Sequence, residues 1–178
     1  MQNQAQSIYI QYVKTNFGEL LLADFEGNLC VCDWQFRKMR ASIDQKIQKY
    51  CNATYLERET PLHIEVKKQL NEYFDKQRTT FDLPLLLIGT DFQKEVWENL
   101  QKIPYGQTDS YMGLAKKMQN TLAIRAIASA NGANTLAIII PCHRIIGSNG
   151  DLVGYAGGLS TKKKLLQLEN NSQTNLFE

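Results

Sequence analysis

Three strand-like apolar runs open the chain, at residues 8–13, 17–25 and 28–34. Short segments rich in Asn and Gly, at 16–18 and 26–28, separate them and supply turn residues. The pattern predicts an antiparallel meander of three strands.

A helical period follows between residues 61 and 75. Thr60 is a suitable N-cap, and Pro61 suits the first helical turn. Apolar side chains then recur at the spacing of one helix face: Leu62, Val66, Leu70, Tyr73 and Phe74. Residues 1–89 are therefore predicted to form a small α+β unit, and 77–90 its connection to the rest.

From residue 90 to residue 178 the pattern is mostly helical. An apolar stripe at 92–100 predicts a helix that begins at Thr90 or Asp91. Ser110 can cap a short helix that ends near Met118, and a second helix is predicted at 121–131. Two short helices joined by a tight turn form the helix-turn-helix pattern, which occurs both in DNA-binding proteins and in helical pairs that bind no DNA.

The second helix of this pair carries one long cation, Arg125, among alanines. Small neighbours would let this helix approach another surface closely while the guanidinium projects from it. The alternative interpretation is a solvated arginine beside an alanine-rich packing face.

The segment Pro141-Cys142-His143-Arg144 carries the most reactive pair of side chains. The apolar run 136–140 precedes it and is predicted to be a buried strand. A thiol attacks as its thiolate, which a neighbouring proton acceptor makes available near neutral pH. A cysteine after such a run is also commonly a small buried hydrophobe.

The four cysteines show no disulfide-framework spacing, and no second Cys or His lies within a few residues of Cys142. Metal binding at Cys30 and Cys32 is the alternative to simple packing; packing is favoured, so no metal or cofactor is predicted. Cys30 and Cys32 alternate along a strand and should point to one face. Residues 1–6 lack the blocks of a secretory signal, no apolar run is long enough to cross a membrane, and the net charge is only +2. The sequence predicts a cytoplasmic protein.

A glycine-rich loop at 154–158 lets backbone approach a ligand closely. Ser160 is predicted to cap a terminal helix. The lysines at 162–164 fall in its first turns, where the helix dipole disfavours cations, so either solvent screens them or an anion lies nearby.

Several motifs resemble the 6-O-methylguanine-DNA methyltransferases. The resemblance runs from residue 90 to residue 169 and rests on these segments: 92–97, 103–106, Ser110-Tyr111, Arg125-Ala126, 140–146, 154–158 and 164–166 with Glu169. Upstream, only residues 15–20 match, and loosely. The resemblance implies an α+β protein with a ribonuclease-H-like N-terminal domain and a winged-helix-like, DNA-binding C-terminal domain.

The resemblance also implies catalytic roles. Cys142 would accept the methyl group, His143 would take the thiol proton through a water, and Glu169 would orient the imidazole. Asn134 would brace the turn before the cysteine. Tyr111 would crowd the target phosphate and protonate the departing guanine.

On the DNA side, the resemblance implies a monomer that binds double-stranded DNA in the minor groove and flips an alkylated guanine out of the stack. Arg125 would take the place of the flipped base, beside Ala126 and Ser129. The base pocket would be formed by Ile145, Val153, Tyr155, Ala156 and Gly157.

The implied reaction is an irreversible transfer of the alkyl group from 6-O-methylguanine, and from 4-O-methylthymine, to the protein. Two alternatives remain open on the sequence: a non-catalytic sensor of alkylated DNA, against which the presence of Cys142 argues, and a Cys-His hydrolase or acyltransferase unrelated to DNA.

Overall fold

A computed structural model describes residues 6–170, and its N-terminal half is built on a four-stranded sheet. Strands β1 (Gln6–Thr15), β2 (Gly18–Phe25) and β3 (Asn28–Trp34) form the expected antiparallel meander. Two elements were not predicted: helix α1 (Arg40–Cys51) and strand β4 (Ala53–Glu57), which pairs parallel with β1. The order in the sheet is β3-β2-β1-β4.

Helix α2 (Pro61–Phe74) begins as predicted, because the Thr60 hydroxyl accepts from the backbone N–H of His63 while the imidazole of His63 accepts from Thr60 N–H. It covers one face of the sheet together with residues of the C-terminal half, and α1 covers the other. One hydrophobic core therefore includes Leu20 and Val66 from the first half and Trp97 and Leu114 from the second.

The prediction that Cys30 and Cys32 share a face is wrong. The pairing of β2 with β3 shifts register at Ala23/Asp24, and such a bulge reverses which side of the sheet the following residues face. Cys32 packs in the core that both halves share, whereas Cys30 packs with α1.

The C-terminal half is mostly helical, as predicted. Its helices are α3 (Asp91–Gln101), capped by Thr90; α4 (Tyr111–Lys117), capped by Ser110; α5 (Ile124–Gly132), entered through a 3-10 turn at Thr121–Ala123; and α6 (Leu159–Glu169). Two-residue strands β5 (Asp109–Ser110) and β6 (Ile145–Ile146) pair in parallel. Helix α5 packs against α3 and α4.

The buried run 136–140 is not a regular strand, contrary to the prediction. Leu136 forms an isolated bridge to Cys32 of β3, and the chain then turns back on itself, with Ile140 N–H donating to the carbonyl of Leu136. Ile138 occupies the left-handed region, at φ 72°. The apolar character of the run reflects burial in the shared core rather than a place in a sheet.

The start of the terminal helix differs from the prediction. Ser160 does not cap α6, because the helix already begins at Leu159, after Gly158, whose φ of 84° favours glycine. No helix among residues 6–170 is long and apolar enough to cross a membrane. The prediction from residues 1–6 that no secretory signal is present falls almost wholly outside the described residues.

Candidate active site

Cys142 lies on the wall of a cavity between the two halves. It begins a single 3-10 turn, Cys142–Arg144, and only 4% of its surface is exposed. The cavity has a volume of about 670 Å³, within the range of small-molecule sites. Its wall combines N-terminal residues such as Trp34 with Tyr111, Asn134 and the glycine-rich loop.

Burial raises the pKa of the Cys142 thiol above its ordinary value. A hydrogen bond from Asn134 Nδ2 to Sγ, at 3.2 Å, and the charge of Lys162 act in the opposite direction but do not cancel the effect of burial. The thiol is therefore mostly protonated at neutral pH. Attack by this sulfur requires a base that removes the proton at the time of reaction.

Asn134 closes the loop that carries Cys142. Its Nδ2 also donates to the carbonyl of Ile140 at 3.0 Å, and its Oδ1 accepts from Leu136 N–H at 2.9 Å. One side chain thus ties both ends of the apolar turn together and points an amide at the sulfur. The carbonyl of Asn134 accepts from Arg37 of the N-terminal half, at 3.0 Å.

His143, the next residue, is fully buried and lies 2.8 Å from Glu169, measured from Nε2 to Oε1. Burial acts to raise the pKa of Glu169, but the hydrogen bonds from His143 and Arg144 hold it far below its ordinary value. Because the carboxylate can only accept, Nε2 carries the imidazole proton. Burial lowers the pKa of His143, so the ring is neutral near pH 7.

The second ring nitrogen, Nδ1, is buried and has no hydrogen-bond partner among the described residues. A neutral imidazole with its proton on Nε2 leaves Nδ1 as an acceptor. The unpartnered Nδ1 lies on the residue that follows Cys142. This arrangement suits a general base.

Glu169, the last residue of α6, accepts from several segments at once. Arg144 donates from Nε to Oε2 and from Nη2 to Oε1, both at 2.9 Å, and Gly106 N–H donates to Oε2 at 3.3 Å. Tyr73, from α2 of the N-terminal half, donates from its hydroxyl to Oε1 at 2.6 Å. The carboxylate is 3% exposed and fixed in one orientation.

One part of the pocket wall depends on an aromatic pair. Trp34 Nε1 donates to the hydroxyl of Tyr155 at 3.0 Å, and the two rings meet edge to face. Ala156 and Gly157 continue this wall. A β-carbon at Gly157 would lie 2.7–2.9 Å from three atoms of the Trp34 indole, so only glycine lets the loop lie this close.

Gly157→Ala is accordingly expected to lower the free energy of unfolding by about 1–3 kcal/mol, because the indole has to move and its bond to Tyr155 is strained. Urea denaturation measures the change. Gly154→Ala, in the same loop with no atom within 4 Å of the new β-carbon, is the matched control. Equal unfolding midpoints for the two variants would contradict this account of the wall.

Two residues predicted to line the base pocket, Ile145 and Val153, are not among the described residues on the cavity wall. The side chain of Ile145 is fully buried in the shared core. The carbonyls of both residues accept from Lys162 Nζ, at 2.6 Å for Val153. The Ile145 N–H is likewise taken by the carbonyl of Cys142.

Lys162 also corrects the expectation for the lysines at 162–164. It is fully buried rather than screened by solvent, and burial lowers its pKa to about 8. Its partners are carbonyl dipoles rather than an anion, and they fix the segment between β6 and the glycine-rich loop. Lys164 is exposed.

The predicted DNA-binding residues share one exposed surface. Arg125, Ala126 and Ser129 of α5 are exposed, and none of them lines the cavity. Tyr111 links this surface to the site, since it lines the cavity and its hydroxyl accepts from Asn131 of α5 at 3.3 Å. Burial raises the pKa of the Tyr111 phenol, which therefore keeps its proton.

Residues that contribute to the site but received no role from the sequence include Trp34, Arg37 and Tyr73 of the N-terminal half and Arg144 of the C-terminal half. Tyr73 was assigned only to an apolar helix face, and Trp34 only to a strand. Arg37 donates to the carbonyl of Gly132, at the end of α5, and to that of Asn134 just beyond it, at 2.7 and 3.0 Å. Among the described residues no group of three or more His, Cys, Asp or Glu side chains is placed to hold a metal ion.

Two family profiles match the chain. The ribonuclease-like domain of 6-O-methylguanine DNA methyltransferase matches residues 8–87, and the DNA binding domain of the same enzyme matches residues 91–171. The chain belongs to the 6-O-methylguanine DNA methyltransferase family. As a member of it, the chain is a methylated-DNA–protein-cysteine methyltransferase that binds DNA and acts in DNA repair.

Individual methyltransferases resemble the chain over nearly its whole length. The methylated-DNA–protein-cysteine methyltransferase of Methanosarcina barkeri is 41% identical over 165 residues, covering 93% of this chain and 99% of the relative. The constitutive enzyme of Bacillus subtilis is 40% identical and covers 89% and 92%. The crystal structure of Mycobacterium tuberculosis OGT in complex with DNA superposes with a TM-score of 0.77 at 37% identity, covering 91% and 92%.

Proposed function

We propose that Cys142 accepts the alkyl group directly from the O6 atom of alkylated guanine. The observation that carries this proposal is the Cys142 thiol on a cavity wall, next to a buried imidazole whose Nδ1 is unpartnered and whose Nε2 is bound to Glu169. The sulfur forms a bond to the methyl carbon while the bond from that carbon to O6 breaks. The thiol proton passes through a water to His143 Nδ1.

The leaving guanine receives a proton from the Tyr111 phenol. The tyrosinate then recovers a proton from solvent as the His143 imidazolium loses one, so the net products are ordinary guanine and a protein thioether. A thioether has no easy leaving group, and the described site offers no nucleophile positioned to remove the methyl. Each molecule therefore acts once. Asn134 braces the sulfur through the contacts to Sγ and to the surrounding loop.

The alkylated base has to leave the duplex to reach Cys142, because the base that carries O6 is stacked within the helix. The exposed face of α5 enters the minor groove, where Ala126 and Ser129 allow close approach and Arg125 replaces the flipped base. Tyr111 crowds the target phosphate. The flipped base lies against Tyr155, Ala156 and Gly157, and the same step acts on 4-O-methylthymine.

The proposal also covers the location, the assembly state and the domain division of the protein. The protein acts as a cytoplasmic monomer, and the chain divides into a ribonuclease-H-like domain at 1–89 and a winged-helix-like domain at 90–178. A non-catalytic damage sensor is the competing function, and a thiol at position 142 beside a base argues against it.

Mass spectrometry tests the proposal. After incubation with a duplex that carries one 6-O-methylguanine, the peptide containing Cys142 is expected to gain one methyl group per protein molecule, and further substrate should add none. An unmethylated duplex is the control. An unmodified Cys142 peptide under conditions of complete binding would refute the proposal, and a duplex with 4-O-methylthymine tests the second substrate.

A further inference from the structure

Tyr73 brings the N-terminal half into direct contact with the His143–Glu169 pair. It lies near the end of α2, and its side chain is fully buried. Its ring is packed against Phe74, Phe81 and Tyr105, at centroid distances of 5.4–5.9 Å. The hydroxyl donates to the carboxylate of Glu169, at 2.6 Å.

The oxygen that Tyr73 reaches is the one that holds the imidazole. Oε1 of Glu169 accepts from Tyr73 Oη, from His143 Nε2 and from Arg144 Nη2, at 2.6, 2.8 and 2.9 Å. Burial raises the pKa of Tyr73 well above its ordinary value, so the phenol always donates. Any change at this hydroxyl therefore changes how strongly the Glu169 carboxylate accepts from His143 and how that carboxylate is oriented.

We infer that Tyr73 is a positioning residue for methyl transfer, whose hydroxyl fixes the Glu169 carboxylate and limits how strongly it binds the proton of His143. The inference rests on the proposed function, because it assumes that His143 takes the proton of Cys142. It also assigns the N-terminal half a part in the chemistry beyond support of the fold.

The direction of the effect follows from competition for Oε1. Without the tyrosine proton, the carboxylate binds imidazolium more strongly, which favours the charged ring. Less of the imidazole is then neutral and able to accept a proton. The charged or titratable groups that face His143 are Glu169, Arg144, Lys162 and the Tyr155 ring, and all of them remain in place.

Tyr73→Phe tests the inference, since it removes the hydroxyl and keeps the packed ring. Tyr105→Phe is the matched control: Tyr105 is a neighbouring ring in the same cluster, but its hydroxyl donates to the backbone carbonyl of Leu168, at 3.3 Å. The chain has only two histidines, and His63 lies in the cap of α2, so NMR titration of both rings reports the site and the helix separately.

In Tyr73→Phe, the His143 ring is expected to titrate at higher pH than in the wild type, with His63 unchanged. The acid limb of the single-turnover rate profile should move to higher pH in parallel. On that limb the rate constant should fall roughly three- to tenfold, the effect of losing about one ordinary intramolecular hydrogen bond. Affinity for the methylated duplex should not change, and Tyr105→Phe should match the wild type throughout.

A Tyr73→Phe profile that coincides with that of the wild type, in a wild type that does methylate Cys142, would overturn the inference alone. A wild type that leaves Cys142 unmodified would instead overturn the proposed function. If Tyr73→Phe does not fold, 3-fluorotyrosine at position 73 provides the second test. This stronger donor is expected to move the His143 titration to lower pH, and an unchanged titration would overturn the inference.

Discussion

Cys142→Ala is expected to abolish methyl transfer while changing the affinity for a methylated duplex by no more than about threefold. Removing the sulfur removes the only atom proposed to bond to the methyl carbon. The groups proposed to bind DNA, on α5 and at Tyr111, are untouched. The side chain is small and lies on a cavity wall, so the substitution leaves little new void.

Two measurements made on the same protein check this expectation. Transfer of a radiolabelled methyl from duplex to protein should be undetectable, and fluorescence anisotropy should give an almost unchanged dissociation constant. Cys51→Ala is the control, because Cys51 is a buried thiol in the core around α1, away from the cavity. Stoichiometric transfer by Cys142→Ala would mean that another residue is the acceptor.

Glu169→Gln is expected to lower the single-turnover rate roughly 100-fold or more, which is the usual contribution of a general base. The amide keeps only one of the two acceptor oxygens, and its NH2 group meets donors at either position: Tyr73, His143 and Arg144 at that of Oε1, or Arg144 and Gly106 at that of Oε2. This conflict between donors disturbs the orientation or the tautomer of the imidazole, so that Nδ1 is no longer held as an acceptor. The Arg144 guanidinium, which is 6% exposed, also loses its counter-charge.

The same variant should unfold more easily, by about 3–5 kcal/mol, because a buried charge is left without its partner. Urea denaturation measures this loss, and circular dichroism confirms that the rate is measured on folded protein. Glu98→Gln, on the exposed side of α3, makes the same chemical change without either effect. A folded Glu169→Gln protein that transfers at the wild-type rate would remove Glu169 from the mechanism.

Local signals were sufficient for much of the fold. The meander of β1–β3 was predicted from apolar runs and turn residues, and α2, α3 and α4 from apolar periods preceded by Thr60, Thr90 and Ser110. In each helix the hydroxyl of the cap residue accepts from the backbone N–H three residues on. Apolar periods and caps involve only residues that are close in sequence, so they can be recognised before the fold is known.

Helix α1 was not predicted because its sequence lacks both a capping side chain and a clear apolar period. Its N-cap is Met39 in the left-handed region, with no side-chain hydrogen bond, and only Ile47 and Cys51 are buried along its length. The bulge that separates Cys30 from Cys32 likewise leaves no mark in composition. The run 136–140 has the same apolar content whether it forms a strand or, as here, a buried turn.

In the candidate site, sequence reasoning identified Cys142, His143 and Glu169 of the C-terminal half but not the part played by Arg144, and it missed the residues of the N-terminal half. Cys142 and His143 are adjacent in the chain, and Glu169 was placed by resemblance. The contacts of Trp34 with Tyr155 and of Tyr73 with Glu169 join residues 121 and 96 positions apart. Periodicity and capping carry no information about such pairs, because the pairs depend on how the N-terminal and C-terminal halves pack against each other.

The burial of Cys142 has a consequence for the lifetime of the protein between lesions. A protonated thiol on a residue that is only 4% exposed is a poor target for bystander electrophiles and oxidants in bulk solution. The proposed acceptor, which its first alkylation would consume, is thereby protected from being used up by solutes. Its reactivity is released only when a ligand that fits the cavity brings the carbon to it.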